Sequence, residues 1–204
     1  PHTSRGGARR SEARSSRPTH GACARNRFAR TNPERRSLSH SFEDLGVPEA
    51  LSSDLARVGI TEAFPIQEKT LPDSLAGRDV LGRGRTGSGK TVAFALPLVT
   101  RLAGLAPGTA RTRRRAHRPT GLVLAPTREL ATQIDRTVAP LAKAAGLNTT
   151  VIFGGVSQKR QEKALADGVD IVVACPGRLE DLIKQGLLTL DDIQVTVLDE
   201  ACLL

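Results

Sequence analysis

The sequence contains no tryptophan and no tyrosine, and its five phenylalanines leave aromatic residues at 2% of 204. A surface that stacks bases on a row of aromatic faces is therefore not expected. With 39% apolar residues, any core must be aliphatic. Cysteine is also scarce. Cys23, Cys175 and Cys202 are odd in number, far apart, and form neither a CxxC pair nor a group with histidine. That excludes a disulfide framework or a zinc site and fits a reducing compartment, with the cytoplasm as the expected location. Long apolar runs are missing too: the longest, Val92 to Val99, contains Pro97 and is far shorter than a bilayer span, so no membrane partner is expected. The length suits one ordinary domain with a tail, not two full domains.

What is abundant is positive charge, and it is unevenly placed. The chain carries 30 Lys+Arg against 21 Asp+Glu, a net +9. Residues 1–40 hold ten Arg and only Glu12 and Glu34, so +8 of the excess lies there. This segment is rich in Arg, Ser, Gly and Pro, lacks sustained periodicity, and is expected to be a disordered basic tail. It reads as a solvated tail or as a nucleic-acid-binding arm, with a transit peptide as a third option. A second basic knot, Arg111, Arg113, Arg114, Arg115 and Arg118, falls in the Gly-, Pro- and Arg-rich stretch 106–120. That stretch is expected to be a mobile loop, either solvated or an auxiliary RNA contact.

From residue 41 to 204, short apolar runs alternate with longer amphipathic ones, the pattern of strands and helices taking turns around a parallel sheet. Val80 and Leu81 are expected to start a strand ending in a glycine-rich turn, followed by a helix over Thr91 to Ala103. Further strands are expected at Gly121 to Ala125, Thr149 to Phe153, Asp170 to Ala174 and Gln194 to Leu198. Between them, Leu130, Ile134, Val138 and Leu141 share one helical face, with Pro140 predicting a kink and Gly146 an end. Shorter helices follow over Gln158 to Ala166 and near Gly177 to Lys184. Five strands separated by helices predict an α/β domain with an open, mostly parallel sheet, helices on both faces, and its active edge at the strand C-termini.

Gly84-Arg85-Thr86-Gly87-Ser88-Gly89-Lys90-Thr91 fits GxxxxGK[ST], after an expected strand and before an expected helix. Glycines let the backbone amides of Thr86, Gly87, Ser88 and Gly89 curl toward phosphate oxygens, and the helix start adds its positive dipole end. Lys90 can reach the β- and γ-phosphates, and the Thr91 hydroxyl can ligate Mg²⁺. A nucleoside triphosphatase also needs an acid at a neighbouring strand end. Asp199 and Glu200, directly after Val195-Thr196-Val197-Leu198, meet that need, Asp199 for Mg²⁺ and Glu200 for the attacking water.

Several motifs in order carry a resemblance. Gly59 to Gln67 (GITEAFPIQ) looks like a Q motif with its isolated upstream aromatic at Phe42, Pro126-Thr127-Arg128-Glu129-Leu130 like motif Ia, Gly154-Gly155 like the glycine doublet, and Cys175-Pro176-Gly177-Arg178 like motif Ib. From Phe42 to Ala201 the chain resembles the N-terminal RecA-like domain of the DEAD-box ATP-dependent RNA helicases of superfamily 2.

The resemblance implies ATP and Mg²⁺ as cofactors, with Phe42 and Gln67 in the nucleotide site and Gln67 reading the adenine edge. A carboxamide that donates and accepts suits adenine. It implies RNA as partner, held through its sugar-phosphate backbone by Pro126, Thr127, Arg128, Gly154, Gly155, Pro176, Gly177 and Arg178. Such contacts are sequence-independent and salt-sensitive.

Departures accompany it: Ile60 replaces an aromatic, Ala63-Phe64 a Pro-Thr pair, Cys175 the Thr of motif Ib, and Cys202 the final acid of the DEAD tetrad. The family's second RecA-like domain, motif III and arginine finger are expected outside these 204 residues, which alone should bind ATP and RNA weakly and turn over little. Two other readings stand beside this one: a non-catalytic RNA-binding remnant of a helicase, and a P-loop motor acting on DNA.

Overall fold

The computed structural model describes residues 40–201. The expected tail, apart from His40, and Cys202 lie outside the described residues. Ten elements follow in order: α1 (Glu49–Arg57), α2 (Pro65–Leu75), α3 (Lys90–Leu102), β1 (Gly121–Leu124), α4 (Arg128–Ala144), β2 (Thr149–Ile152), α5 (Gln158–Asp167), β3 (Ile171–Ala174), α6 (Pro176–Lys184) and β4 (Val195–Leu198). The strands form one all-parallel sheet in the order β2-β3-β1-β4.

The apolar pattern explains why helices cover both faces. Successive strand side chains point to opposite faces. Val123 of β1 with Ile171 and Val173 of β3 enter a buried cluster with Leu96, Leu98, Val99 and Leu102 of α3 and Ile134 and Val138 of α4. Leu122, Val172 and Ala174 face the other way, into a cluster with Leu165 of α5 and Leu179 and Leu182 of α6. Both clusters are aliphatic, apart from Phe42, as the composition requires.

Helix α4 shows how local chemistry sets the sheet's rim. The Thr127 hydroxyl caps it, accepting from the Leu130 amide at 3.2 Å. The helix continues through Pro140. It closes in a Schellman turn in which the Gly146 amide donates to Lys143 and the Leu147 amide to Ala142. A start at Arg128 and an end at Ala144 return the chain to β2, which begins at Thr149.

Two expectations are corrected. The sheet has four strands, not five, because Val80 and Leu81 join no ladder and Leu81 is 88% exposed. Two apolar residues between Arg78-Asp79 and Gly82 bury too little to offset ordering them.

The arginine knot is largely exposed as expected, but most of its members are also tied to partners. Arg111 donates to the Gly146 carbonyl, and Arg114 to that carbonyl and to Asp170. Arg118 holds Asp191 and Asp192, with Arg115 3.5 Å from Asp192. These partners sit near the N-terminal ends of β3 and β4, away from the rim where the expected site residues lie, so the segment staples the sheet's far edge.

The strongest of these ties is at Asp170. Its side chain is 2% exposed and accepts from both the Arg114 guanidinium (2.7 Å) and the Asn148 amide (2.7 Å). Removing Arg114 leaves a buried carboxylate with half its partners. Arg114→Ala is expected to lower unfolding stability by about 1–3 kcal/mol in urea titrations.

Candidate nucleotide and nucleic-acid site

The phosphate-binding segment lies at the start of α3. Gly89 is the helix N-cap with φ +84°, and the first α-helical bond runs from the Ala93 amide to the Gly89 carbonyl. The amides of Gly87, Gly89 and Thr91 take part in no hydrogen bond among the described residues. The Ser88 hydroxyl is buried without a partner. A helix N-terminus with unfilled amides and an orphaned hydroxyl is a cradle that fits a phosphate group.

Glycine is required at position 89 for a second reason. A Cβ there would come within 2.5 Å of the Gln67 amide nitrogen and 2.8 Å of the Phe64 ring, so α2 packs directly on the loop. Gln67 makes the connection. It is 1% exposed, its Oε1 accepts from the Phe64 amide (2.9 Å), and its Nε2 donates to the Gly89 carbonyl (3.0 Å). The first of these bonds is half of a capping box at the start of α2, and the second fastens α2 to the phosphate loop. One acceptor lone pair and one N–H of the carboxamide remain for a ligand. Phe42 is likewise buried, 2% exposed, and packs in the apolar core.

The acidic pair stands at the end of β4. The Lys90 ammonium lies 2.6 Å from Glu200 Oε1, joining groups 110 residues apart. Glu200 has φ +52°, a left-handed conformation unusual for a residue with a side chain. Such strain costs about 1–3 kcal/mol and persists where the surroundings enforce it. Here it directs the carboxylate toward the phosphate loop.

Asp199 is 8% exposed, and its Oδ1 accepts from the Glu200 amide at 3.1 Å. Burial pushes its carboxyl above the usual range, against the pull of Lys90; Glu200 raises it further, and the amide bond lowers it. Among the described residues no group of three or more His, Cys, Asp or Glu could hold a metal. Asp199 and Thr91 suit Mg²⁺ in the usual nucleotide arrangement, in which one or two protein oxygens share the ion with phosphate oxygens and water.

The expected RNA-contact residues fall at the ends of the other three strands. Because the sheet is parallel, Gly154-Gly155 after β2, Cys175 to Arg178 after β3, Pro126 to Arg128 after β1 and Asp199-Glu200 after β4 share one rim, in that spatial order. Arg128 donates to the Gly154 carbonyl at 3.3 Å. Gly155 sits beside the Arg128 guanidinium at φ +80°, a left-handed backbone conformation that favours glycine. The Arg178 Nε and one terminal nitrogen are buried without partners.

At the start of α6, the Gly177 and Arg178 amides make no hydrogen bond, and the N-cap Cys175 contributes no side-chain cap. Burial raises the Cys175 thiol; Glu129 raises it further while Arg128 lowers it, so the thiol stays protonated at neutral pH. The capping role of Thr127 follows from its sequence position. The use of Gln67 as a loop fastener does not, since an isolated glutamine more often lies at the surface. Gln161 was not expected either: it is buried and donates to the Phe153 carbonyl at 3.0 Å, steadying the turn into Gly154.

Comparison with known proteins agrees with this geometry. A family model described as DEAD/DEAH box helicase matches residues 64–203. A chloroplastic DEAD-box ATP-dependent RNA helicase 3A of Zea mays is 46% identical over 77% of this chain and 20% of its own length. The ATP-dependent RNA helicase RhlB of Pasteurella multocida is 44% identical over 78% of this chain and 37% of its own. Among solved structures, the RNA helicase Prp28 from Chaetomium thermophilum bound to ADP superposes with a TM-score of 0.72 at 38% identity, over 80% of this chain and 39% of that one. The chain thus spans a fifth to about two fifths of the length of these proteins.

The Asp199 shift has a definite sign. A carboxyl raised on folding stabilises the fold fully below its ordinary value near 3.8 and loses that contribution as pH rises through the raised value. Asp199→Asn removes the buried charge. It is expected to raise Tm at pH 7, and thermal denaturation across acid pH should show the advantage vanishing as Asp199 itself protonates.

Proposed function

The chain belongs to the DEAD/DEAH box helicase family, and from that premise we propose that residues 41–204 are the ATP-binding half of an enzyme that couples ATP hydrolysis to local separation of RNA strands. The observation that carries the reading is the 2.6 Å approach of Lys90 to Glu200 at a rim shared with unfilled backbone amides. A cation, an anion-binding loop and two carboxylates at one point are the parts phosphoryl transfer needs.

In this reading Thr86, Gly87, Ser88 and Gly89 wrap the phosphates, Lys90 leaves Glu200 to pair with them, and Gln67 gives its remaining donor and acceptor to adenine. Glu200, freed from Lys90, orients the attacking water and takes its proton. Asp199 and Thr91 would hold Mg²⁺, which when bound neutralises charge on the β- and γ-phosphate oxygens. The raised carboxyl of Asp199 supports this role, because a bound cation supplies the charge that its burial lacks.

For RNA, the free amides of Gly177 and Arg178 and the guanidinium groups of Arg128 and Arg178 favour contacts to the phosphate backbone. The free thiol of Cys175 supports a reducing compartment, which we take to be the cytoplasm.

Isothermal titration of the 204-residue chain with Mg·ATP should show binding that Lys90→Ala weakens by about tenfold or more. No heat at saturating millimolar ligand would overturn the reading. Phosphate release by these residues alone is expected to stay about a thousandfold or more below that of a chain carrying an arginine finger.

A further inference from the structure

We propose that Arg136 extends the RNA path beyond the strand-end motifs, taking one further phosphate in a groove between α4 and the end of β2; the inference rests on the RNA reading of the rim given above. Arg128, Thr132 and Arg136 recur every fourth residue and so share one face of α4. Together with Glu129 and Phe153 they line an open groove of about 430 Å³.

The two arginines differ in state. Arg128 is anchored on the Gly154 carbonyl, at the rim. Arg136, two turns along and about 12 Å farther down the helix axis, is exposed and makes no hydrogen bond or ion pair among the described residues. Charges in the lining come to two guanidinium groups against the one carboxylate of Glu129.

Three features favour a ribose-phosphate over other occupants. The groove is continuous with the rim, since Arg128 belongs to both and Phe153 directly precedes Gly154. Its half-buried Phe153 ring gives an apolar floor of the kind a sugar or base face covers. The Thr132 hydroxyl donates to the Arg128 carbonyl at 2.8 Å and retains acceptor capacity for a 2′-hydroxyl. β2 is the outermost strand on this side, so a strand leaving Gly154-Gly155 meets no further rim and turns down the α4 face, where Arg136 stands.

The test is the salt dependence of a fluorescein-labelled oligouridylate binding to the full 204-residue chain, with Arg136→Ala, Arg136→Lys, Arg136→Glu and Arg128→Ala. A phosphate contact on a single strand adds about 0.7 to the magnitude of the log-log salt slope. Arg136→Ala is expected to reduce the slope by about that amount and to weaken binding roughly threefold to tenfold at low salt. Arg136→Lys should retain the slope, and Arg136→Glu should weaken binding further, with Tm and Mg·ATP affinity unchanged in all three. A slope that falls for Arg128→Ala but not for Arg136→Ala overturns this inference and leaves the rim reading intact. A slope unchanged by either overturns both and directs the groove toward a different partner, such as an acidic peptide.

Discussion

The four strands run in one direction and end at one level: Leu124 pairs with Ala174 on one side and Leu198 on the other, and Ala174 pairs with Ile152. That register decides where chemistry can happen. In a parallel ladder a crossover helix starts beyond the end of the strand before it, so the ends of β1, β2 and β3 lead into the N-termini of α4, α5 and α6. The start of α4 after β1 and of α6 after β3 are products of this geometry. Even the acidic pair after β4 stands on the same line. An antiparallel sheet of the same residues would scatter these groups over two opposite edges.

Along that line the charges are ordered. The β4 end carries the carboxylates of Asp199 and Glu200, held in check by Lys90, while the ends of β1, β2 and β3 carry Arg128, Arg178 and free amides. The acidic end is under stress in two respects, the buried carboxyl of Asp199 and the left-handed backbone of Glu200. Both are local violations of stability rules, and a cation beside Asp199 would ease the first. Local costs of this kind cluster at functional sites.

Much of this was legible in the chain because periodicity and punctuation act over short distances. Leu130, Ile134, Val138 and Leu141 announced α4, Gly146 its end, and the runs after Gly121, Thr149, Asp170 and Gln194 the four strands. The phosphate loop was legible for the same reason, since its spacing is its mechanism. What was not legible depends on partners far away in sequence. Val80-Leu81 reads as a strand until a ladder partner is required. The knot at Arg111 to Arg118 reads as free charge until Asp170, Asp191, Asp192 and the Gly146 carbonyl, 32 to 77 residues from the arginines they hold, are brought beside it.

The departure at Cys175 shows how a substitution can act in two directions at once. A threonine there could cap α6 through its hydroxyl, as Thr127 caps α4. Cysteine is a poor acceptor, and its absent cap costs about 1 kcal/mol of helix-end stability. The same loss leaves the Gly177 and Arg178 amides without a local competitor. Beside them lie the buried, unpartnered nitrogens of Arg178. On the proposed RNA reading, a phosphate arriving at α6 would meet amides that need not be taken from an existing cap. On that same reading, affinity at this corner would rest on charge and backbone amides and not on side-chain hydroxyls, and would carry salt dependence but no reading of base sequence.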